Sequence, residues 1–225
     1  MRRRTLLIAG MTLPLAPAAH AVGGPAVLEL FTAQGCSSCP PADAYLGELA
    51  KRPDVIALAW HVDYWNNLGW KDPYASRQWT DRQRDYARQL HDEVYTPALV
   101  VNGVRIVVGS DRQAIAQAIE ATPAPMAVSL QRTATGLEAS ANAWPAGASA
   151  LLAVYDPDNT TSVAAGENAG RRLKEYRIVR EVREVVLANR PIVLSPVQPH
   201  QGAALLVRDA AWRIVAAADL LPANR

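Results

Sequence analysis

Two hydrophobic periodicities alternate along the first half of the chain. Almost unbroken apolar runs at residues 26–31 ("AVLELF") and 55–62 ("VIALAWHV") predict buried strands, and three other segments repeat apolar side chains at helical spacing. Two later apolar runs flank Asn102-Gly103, which predicts a β-hairpin. The predicted order is β-α-β-α-β-β-α, with the first two strands parallel. The predicted helices are 43–51, 75–90 and a segment after Ser110, and the remaining predicted strands are 96–101 and 104–108.

The pattern changes from residue 126 onward. Short alternating segments, separated by turn signals such as Asp156-Pro157, predict an all-β sandwich of about seven strands. Residues 171–187 fit both a helix and a strand, and their β-branched side chains favour a strand. The sequence therefore predicts an α/β domain at 22–122, a stiff proline-containing linker at 123–125 and an all-β, sandwich-like domain at 126–225.

The first 21 residues have the composition of an export signal. Three arginines precede an apolar run that is too short and too rich in proline to cross a membrane, and small residues surround a cleavage point near Ala21. We therefore expect a periplasmic or secreted bacterial protein. The whole chain has 23 basic and 21 acidic residues, a net charge of +2. Without the three signal arginines the charge is −1, which gives no reason to expect nucleic acid or an anionic membrane as partner.

The two cysteines of the chain, Cys36 and Cys39, are three positions apart and directly follow a predicted strand. Pro40-Pro41 fit a helix only in its first turn, so the cysteines lie at a helix N-terminus. The positive end of the helix dipole stabilises a thiolate there, which favours Cys36 as the nucleophile and Cys39 as the resolving partner.

Other uses of two sulfur atoms are less well supported. Haem attachment requires a histidine after the second cysteine, where Pro40 stands, and the scattered histidines give no zinc-ligand spacing. Copper(I) held by Cys36 and Cys39, with His61 as a third ligand, remains an alternative. A purely structural bridge would close a very short loop and stabilise the fold only weakly. Thiol–disulfide exchange is the favoured function.

A strand that leads into "CSSCP", a crossover, and Thr96-Pro97 at the start of the third strand resemble the thioredoxin fold over residues 26–121. This resemblance implies a Cys36–Cys39 disulfide with a cis Pro97 packed beside it. More narrowly, "ELFTAQGCSSCPPAD", "HVDYWNNLGWKDPYASRQWTDRQRDYA" and "GENAGRRL" resemble a bacterial family of secreted thioredoxin-like proteins of unknown function with a C-terminal β domain.

The sequence departs from the thioredoxin pattern beside the cysteines. Gln34-Gly35 stand where a thioredoxin has tryptophan, and Ser37-Ser38 between the cysteines supply no cation, so Cys36 should be only moderately acidified. The resemblance also implies a buried carboxylate near the resolving cysteine. Glu29 is a candidate for that role, although strand alternation predicts that it points to solvent.

Several other side chains are expected at the same edge of the sheet, where the two parallel strands end and the third begins. Six aromatic side chains between the second strand and the second helix form either a groove for a substrate protein, with Tyr64, Trp65 and Trp70 as its contacts, or a small core of their own. The six are Trp60, Tyr64, Trp65, Trp70, Tyr74 and Trp79. His61 is expected to be a core histidine.

The sequence therefore predicts an exported thiol–disulfide oxidoreductase-like protein that needs no cofactor and acts on protein thiols or disulfides. The alternatives are a redox-inactive binding or assembly module and the copper(I)-handling protein.

Overall fold

The computed structural model of the protein describes residues 23–223. The export signal expected at residues 1–21 lies outside them. The helices are α1 (Pro40–Leu49), α2 (Arg77–Leu90) and α3 (Arg112–Ala121). The strands are β1 (Ala26–Thr32), β2 (Val55–His61), β3 (Ala98–Val101), β4 (Arg105–Val108), β5 (Met126–Ala127), β6 (Ser129–Arg132), β7 (Leu137–Ser140), β8 (Ser149–Ser162), β9 (Arg172–Val185), β10 (Ile192–Leu194), β11 (Gly202–Arg208) and β12 (Ile214–Leu220).

Nine strands form one large curled sheet, in the order β4-β3-β1-β2-β9-β8-β11-β12-β5. β1 and β2 are parallel, whereas β3 is antiparallel to both β1 and β4. Consequently, the ends of β1 and β2 and the start of β3 meet at one edge of the sheet. The predicted β-α-β-α-β-β-α order is present, and Asn102 and Gly103 both have positive φ in the turn between β3 and β4.

The second half is built from strands, but most of it continues the sheet of the first half. β9 is the strand that the ambiguous segment 171–187 forms, and it pairs in parallel with β2 through Ala59 and Ile178. This continuous sheet differs from the free-standing sandwich expected from the sequence. Without β9, β2 would be an unpaired apolar strand at the edge of the sheet. β6, β7 and β10 form a separate three-stranded sheet that shares an apolar cluster with β8, β11 and β12.

Both faces of the sheet are covered in the first half, which explains why every residue of β1 and β2 is buried. One face, which includes Phe31 and Trp60, packs with Trp79 and Tyr86 of α2. The other face packs against apolar residues of α1 and α3. Glu29 is therefore buried, and the expectation that it points to solvent is wrong because α2 covers that face.

Helix α1 packs against β9 through a close approach at Gly47. A Cβ atom there would lie 2.4 Å from ring atoms of Tyr176 on β9. The second half of the chain therefore sets the position of the helix that begins at the cysteines. None of the helices within residues 23–223 is long and apolar enough to cross a membrane.

Candidate functional site

Cys36 and Cys39 form a disulfide at the start of α1, with their Cα atoms 5.4 Å apart. Cys39 is the N-cap residue of α1, and Pro40 and Pro41 occupy its first turn. Proline fits there because its missing N–H would have no partner within the helix. The local sequence thus places both sulfur atoms where β1 ends and α1 begins.

Both cysteines are completely buried, at 0% exposure, whereas Ser37 and Ser38 between them are exposed. The Cys36 Sγ lies 3.3 Å from the Ser38 hydroxyl oxygen and 3.8 Å from the carbonyl oxygen of Thr96. The Ser38 hydroxyl is therefore placed to donate a hydrogen bond to a Cys36 thiolate. Because the sulfur atoms are buried, a bulky partner reaches them only after a local opening of the structure.

Thr96-Pro97 lies beside Cys36, and its peptide bond is cis. Trp65, in the connection after β2, donates from its indole Nε1 to the Thr96 hydroxyl at 2.8 Å. A Cβ atom on Gly35 would lie 3.1 Å from the Trp65 Cβ, so the cysteine loop and this connection are in close contact. Trp65 therefore links the two segments that flank the Cys36 sulfur.

The six aromatic side chains from β2 to α2 divide into two groups. Trp60, Tyr74 and Trp79 are buried, and Trp60 and Trp79 belong to the large apolar cluster between the sheet and α2 rather than to a small core of their own. Tyr64, Trp65 and Trp70 are partly exposed, and these are the residues predicted to contact a substrate. Trp70 donates to the Gln34 side chain at 2.9 Å, and the Tyr64 hydroxyl donates to Gln83 on α2.

The loop at residues 163–171 holds the cysteine loop from the second half of the chain. Asn168 is fully buried, and its side-chain N–H₂ group donates to the carbonyl oxygens of Gln34 and Cys36, both at 2.9 Å. The neighbouring Glu167 carboxylate accepts a hydrogen bond from the Ser37 backbone N–H at 3.0 Å. The "GENAGRRL" motif, residues 166–173, begins in this loop and ends in β9, so the motif contributes directly to the site.

A buried polar cluster lies behind Gln34. The Gln34 side chain donates to Glu175 on β9 at 2.8 Å, and its backbone N–H donates to Asp72 at 2.9 Å. The His61 Nδ1 lies 2.7 Å from the same Asp72 carboxylate, and the His61 Nε2 lies 3.9 Å from Glu175. His61, expected as a core histidine, is thus the centre of a charged group, which also includes Asp43 on α1.

Burial and mutual attraction oppose each other in this cluster. Burial disfavours the charged imidazolium, but Asp72, Glu175 and Asp43 outweigh it and raise the pKa of His61 to about 9. The pKa of Asp72 is lowered because His61 and backbone N–H groups outweigh the effect of burial. Burial dominates for the other two carboxyl groups, and it raises the pKa of Asp43 to about 6 and that of Glu175 to about 7. The pKa values of Asp43 and Glu175 are therefore both shifted toward neutral pH.

The carboxyl groups of Glu29 and Asp43 have different surroundings. The Glu29 carboxylate accepts two hydrogen bonds from Arg82, at 2.7 and 3.0 Å, and one from Tyr86 at 2.5 Å. These partners occupy both of its oxygen atoms. Asp43 is one helical turn after Cys39, so the two side chains lie on the same side of α1.

Several residues of this site were not predicted from the sequence. Asp43 was recognisable in principle, because it follows the resolving cysteine at helical spacing. Gln34 adjoins Cys36, but its bonding partners and the other missed residues come from distant segments that only the sheet brings together. The missed residues are Gln34 in its bonding role, Asp43, Asp72, Glu167, Asn168 and Glu175.

No group of three or more His, Cys, Asp or Glu side chains within the described part of the chain could hold a metal ion. His61, the third ligand in the copper alternative, faces Asp72 and Glu175. The geometry therefore adds no observation in favour of copper.

The fold and this site define a mixed α/β protein with one large curled sheet and a disulfide at the start of its first helix. Residues 27–207 match the family described as "Protein of unknown function (DUF1223)", and the chain belongs to that family. No curated protein matches the sequence.

Two solved structures are similar to this chain. The crystal structure of protein AGR_C_4864 from Agrobacterium tumefaciens is 31% identical, with a TM-score of 0.76 over 90% of this chain and 96% of that one. HBP35 of Porphyromonas gingivalis is 16% identical, with a TM-score of 0.57 over 90% of this chain and 78% of that one. The second likeness concerns the fold alone.

Proposed function

We propose that this protein is an exported thiol–disulfide oxidoreductase-like protein that acts through Cys36 and Cys39 on protein thiols or disulfides. The observation that carries this proposal is the placement of the disulfide at the start of α1, beside Thr96-Pro97. Its α/β part, residues 22–122, resembles the thioredoxin fold in element order and in the position of the cysteine pair. A disulfide also favours an oxidising compartment, in keeping with export.

In the reducing direction, the Cys36 thiolate attacks one sulfur of a substrate disulfide, and the other substrate sulfur leaves as a thiolate. The Cys39 thiolate then attacks the Cys36 sulfur, which releases the second substrate sulfur and leaves Cys36 bonded to Cys39. Two electrons pass from the protein to the substrate. Asp43 is the candidate acceptor for the Cys39 proton, because its pKa of about 6 lies close to neutral pH. The oxidising direction is the reverse of these steps.

The substrate is proposed to lie across Thr96-Pro97 and the partly exposed side chains of Tyr64, Trp65 and Trp70. Trp65 contacts both the cysteine loop and Thr96, so its displacement would open a path to Cys36. Aromatic side chains are well suited to hold an extended protein segment.

The complete burial of both sulfur atoms favours a second candidate, a redox-inactive binding or assembly module. In that case the disulfide only holds the start of α1. A buried structural cysteine is less reactive than the accessible cysteines of exchange enzymes, which is the physical basis of this alternative.

A trapping experiment tests the proposal. The Cys39→Ser variant of the full chain should accumulate mixed disulfides with periplasmic proteins, because Cys36 can attack but cannot be resolved. The matched Cys36→Ser variant should accumulate far fewer. If neither variant forms adducts while a small alkylating reagent labels the free Cys36, exchange is not the function. Retention of one specific partner by the variant lacking both cysteines would then support the binding module.

A further inference from the structure

The start of α1 offers unusually few backbone N–H groups to a negative charge. Pro40-Pro41 have none, and the Cys39 N–H donates to the Cys36 carbonyl oxygen at 3.2 Å. The N–H groups left for a Cys36 thiolate at this helix start are those of Ser37 and Ser38.

Glu167 takes one of these two donors. Its carboxylate accepts from the Ser37 N–H at 3.0 Å. Hydrogen bonds from the Ser37 hydroxyl and then from this N–H lower the pKa of Glu167, so the side chain is a carboxylate at neutral pH. The contact is built into the fold because the adjacent Asn168 is fully buried and bonded to the Gln34 and Cys36 carbonyl oxygens. Glu167 is thus held at the helix start by its neighbour.

We propose that Glu167 is a positioning residue that competes with the Cys36 thiolate for the N-terminal end of α1 and so makes the cysteine pair more reducing. The inference rests on the proposed exchange function and adds a role for the second half of the chain. A fixed carboxylate already satisfies the positive end of the helix dipole, and its charge repels a thiolate one residue away. A less stable thiolate means a less stable reduced form and a lower reduction potential.

Other titratable groups surround the same end of the sheet. They are Asp43 on α1, Tyr64 and Asp72 after β2, His61 on β2 and Glu175 on β9. A substitution at Glu167 alone leaves all of them in place, so a difference from the wild type isolates the effect of this carboxylate.

The test measures the Cys36 pKa and the reduction potential in two variants of the full chain. Glu167→Gln keeps an oxygen acceptor for Ser37 but removes the charge, whereas Glu167→Ala also frees the Ser37 N–H. We expect Glu167→Gln to stabilise the thiolate about two- to fivefold, which lowers the Cys36 pKa by about 0.3–0.7 and raises the potential by ~10–20 mV at pH 9, where the thiolate predominates. Glu167→Ala should give a larger shift, and high salt should reduce the effect of the charge.

Glu138→Gln is the matched control, because that carboxylate accepts from Gln131 within the three-stranded sheet and its loss should leave both quantities unchanged. An unchanged Cys36 pKa and potential in both Glu167 variants would overturn the inference even if the protein exchanges disulfides. If the shifts occur in a protein that forms no mixed disulfides, the role of Glu167 stands and the exchange function fails.

Discussion

The charge of His61 links the stability of the protein to pH. Its pKa is about 9 in the folded protein against an ordinary value of 6.5, because the attraction of Asp72 and the other carboxylates outweighs burial. Between these values the folded state keeps a proton that the unfolded state releases. The stability that His61 contributes is therefore fully present below pH 6.5 and is lost as the pH rises through about 9.

We expect the free energy of unfolding of the oxidised protein to decrease steadily from pH 7 to pH 9. The raised pKa of about 7 for Glu175 lies at the lower end of this window, so Glu175 adds to the decrease near pH 7 and His61 dominates toward pH 9. Urea unfolding at several pH values measures the slope. The His61→Gln variant should be less stable at pH 7 and should lack this slope. A wild-type protein with constant stability across the window would contradict a charged His61.

Residue-scale prediction from the sequence succeeded where the signal was local. The Cys36–Cys39 spacing and the prolines that follow it place the disulfide correctly at a helix start. Glu167, Asn168 and Glu175 could not be assigned, because their partners are more than a hundred positions away in the sequence. Glu29 was misplaced because strand alternation says which face a side chain is on, but not whether a helix covers that face.

At the scale of elements, the packing of α1 on β9 depends on the absence of a side chain at Gly47. The Tyr176 ring lies where an alanine Cβ atom would have to be. We expect Gly47→Ala to destabilise the protein by about 1–3 kcal/mol through overpacking, although alanine is the better helix former by about 1 kcal/mol. Chemical denaturation of the purified variant provides the measurement.

A double-mutant cycle with Tyr176→Ala supplies the control. In a Tyr176→Ala background the ring is gone, so Gly47→Ala should become neutral or stabilising. If Gly47→Ala lowers the free energy of unfolding by as much without the Tyr176 ring as with it, contact between α1 and β9 is not the cause of the destabilisation.

Periodicity predicted most of the elements, including the strand at residues 171–187, because each element carries its own hydrophobic pattern. It did not predict which strands pair. The apolar sequence of β2 predicts a strand buried on both faces. It does not specify that β2 pairs with β9 on the side opposite β1. That pairing is decided by the whole sheet, because an apolar edge must be covered by some strand.

For the whole molecule, the continuous sheet predicts that the first half is not stable alone. The division at residues 123–125 was drawn from a change in sequence pattern, but β9 from beyond it closes the edge of β2. A chain that ends at Pro125 also lacks the Asn168 contacts of the cysteine loop. We expect this fragment to unfold without a cooperative transition, as followed by circular dichroism, and to self-associate through the exposed edge.

The control for this experiment is the longer chain of residues 22–225, which should unfold cooperatively under the same conditions. A fragment that unfolds in a single sharp transition at a similar midpoint would instead establish residues 22–125 as an independent domain.

The distance along the chain between the parts of the site also has a consequence for how the protein matures. The Gln34 side chain donates to Glu175, which lies 141 positions later in the sequence. Until most of the polypeptide has been synthesised and added to the sheet, both sulfur atoms belong to an unprotected segment that any oxidant can reach. The cysteine pair should therefore be most reactive during biogenesis and least reactive once the last strands have joined.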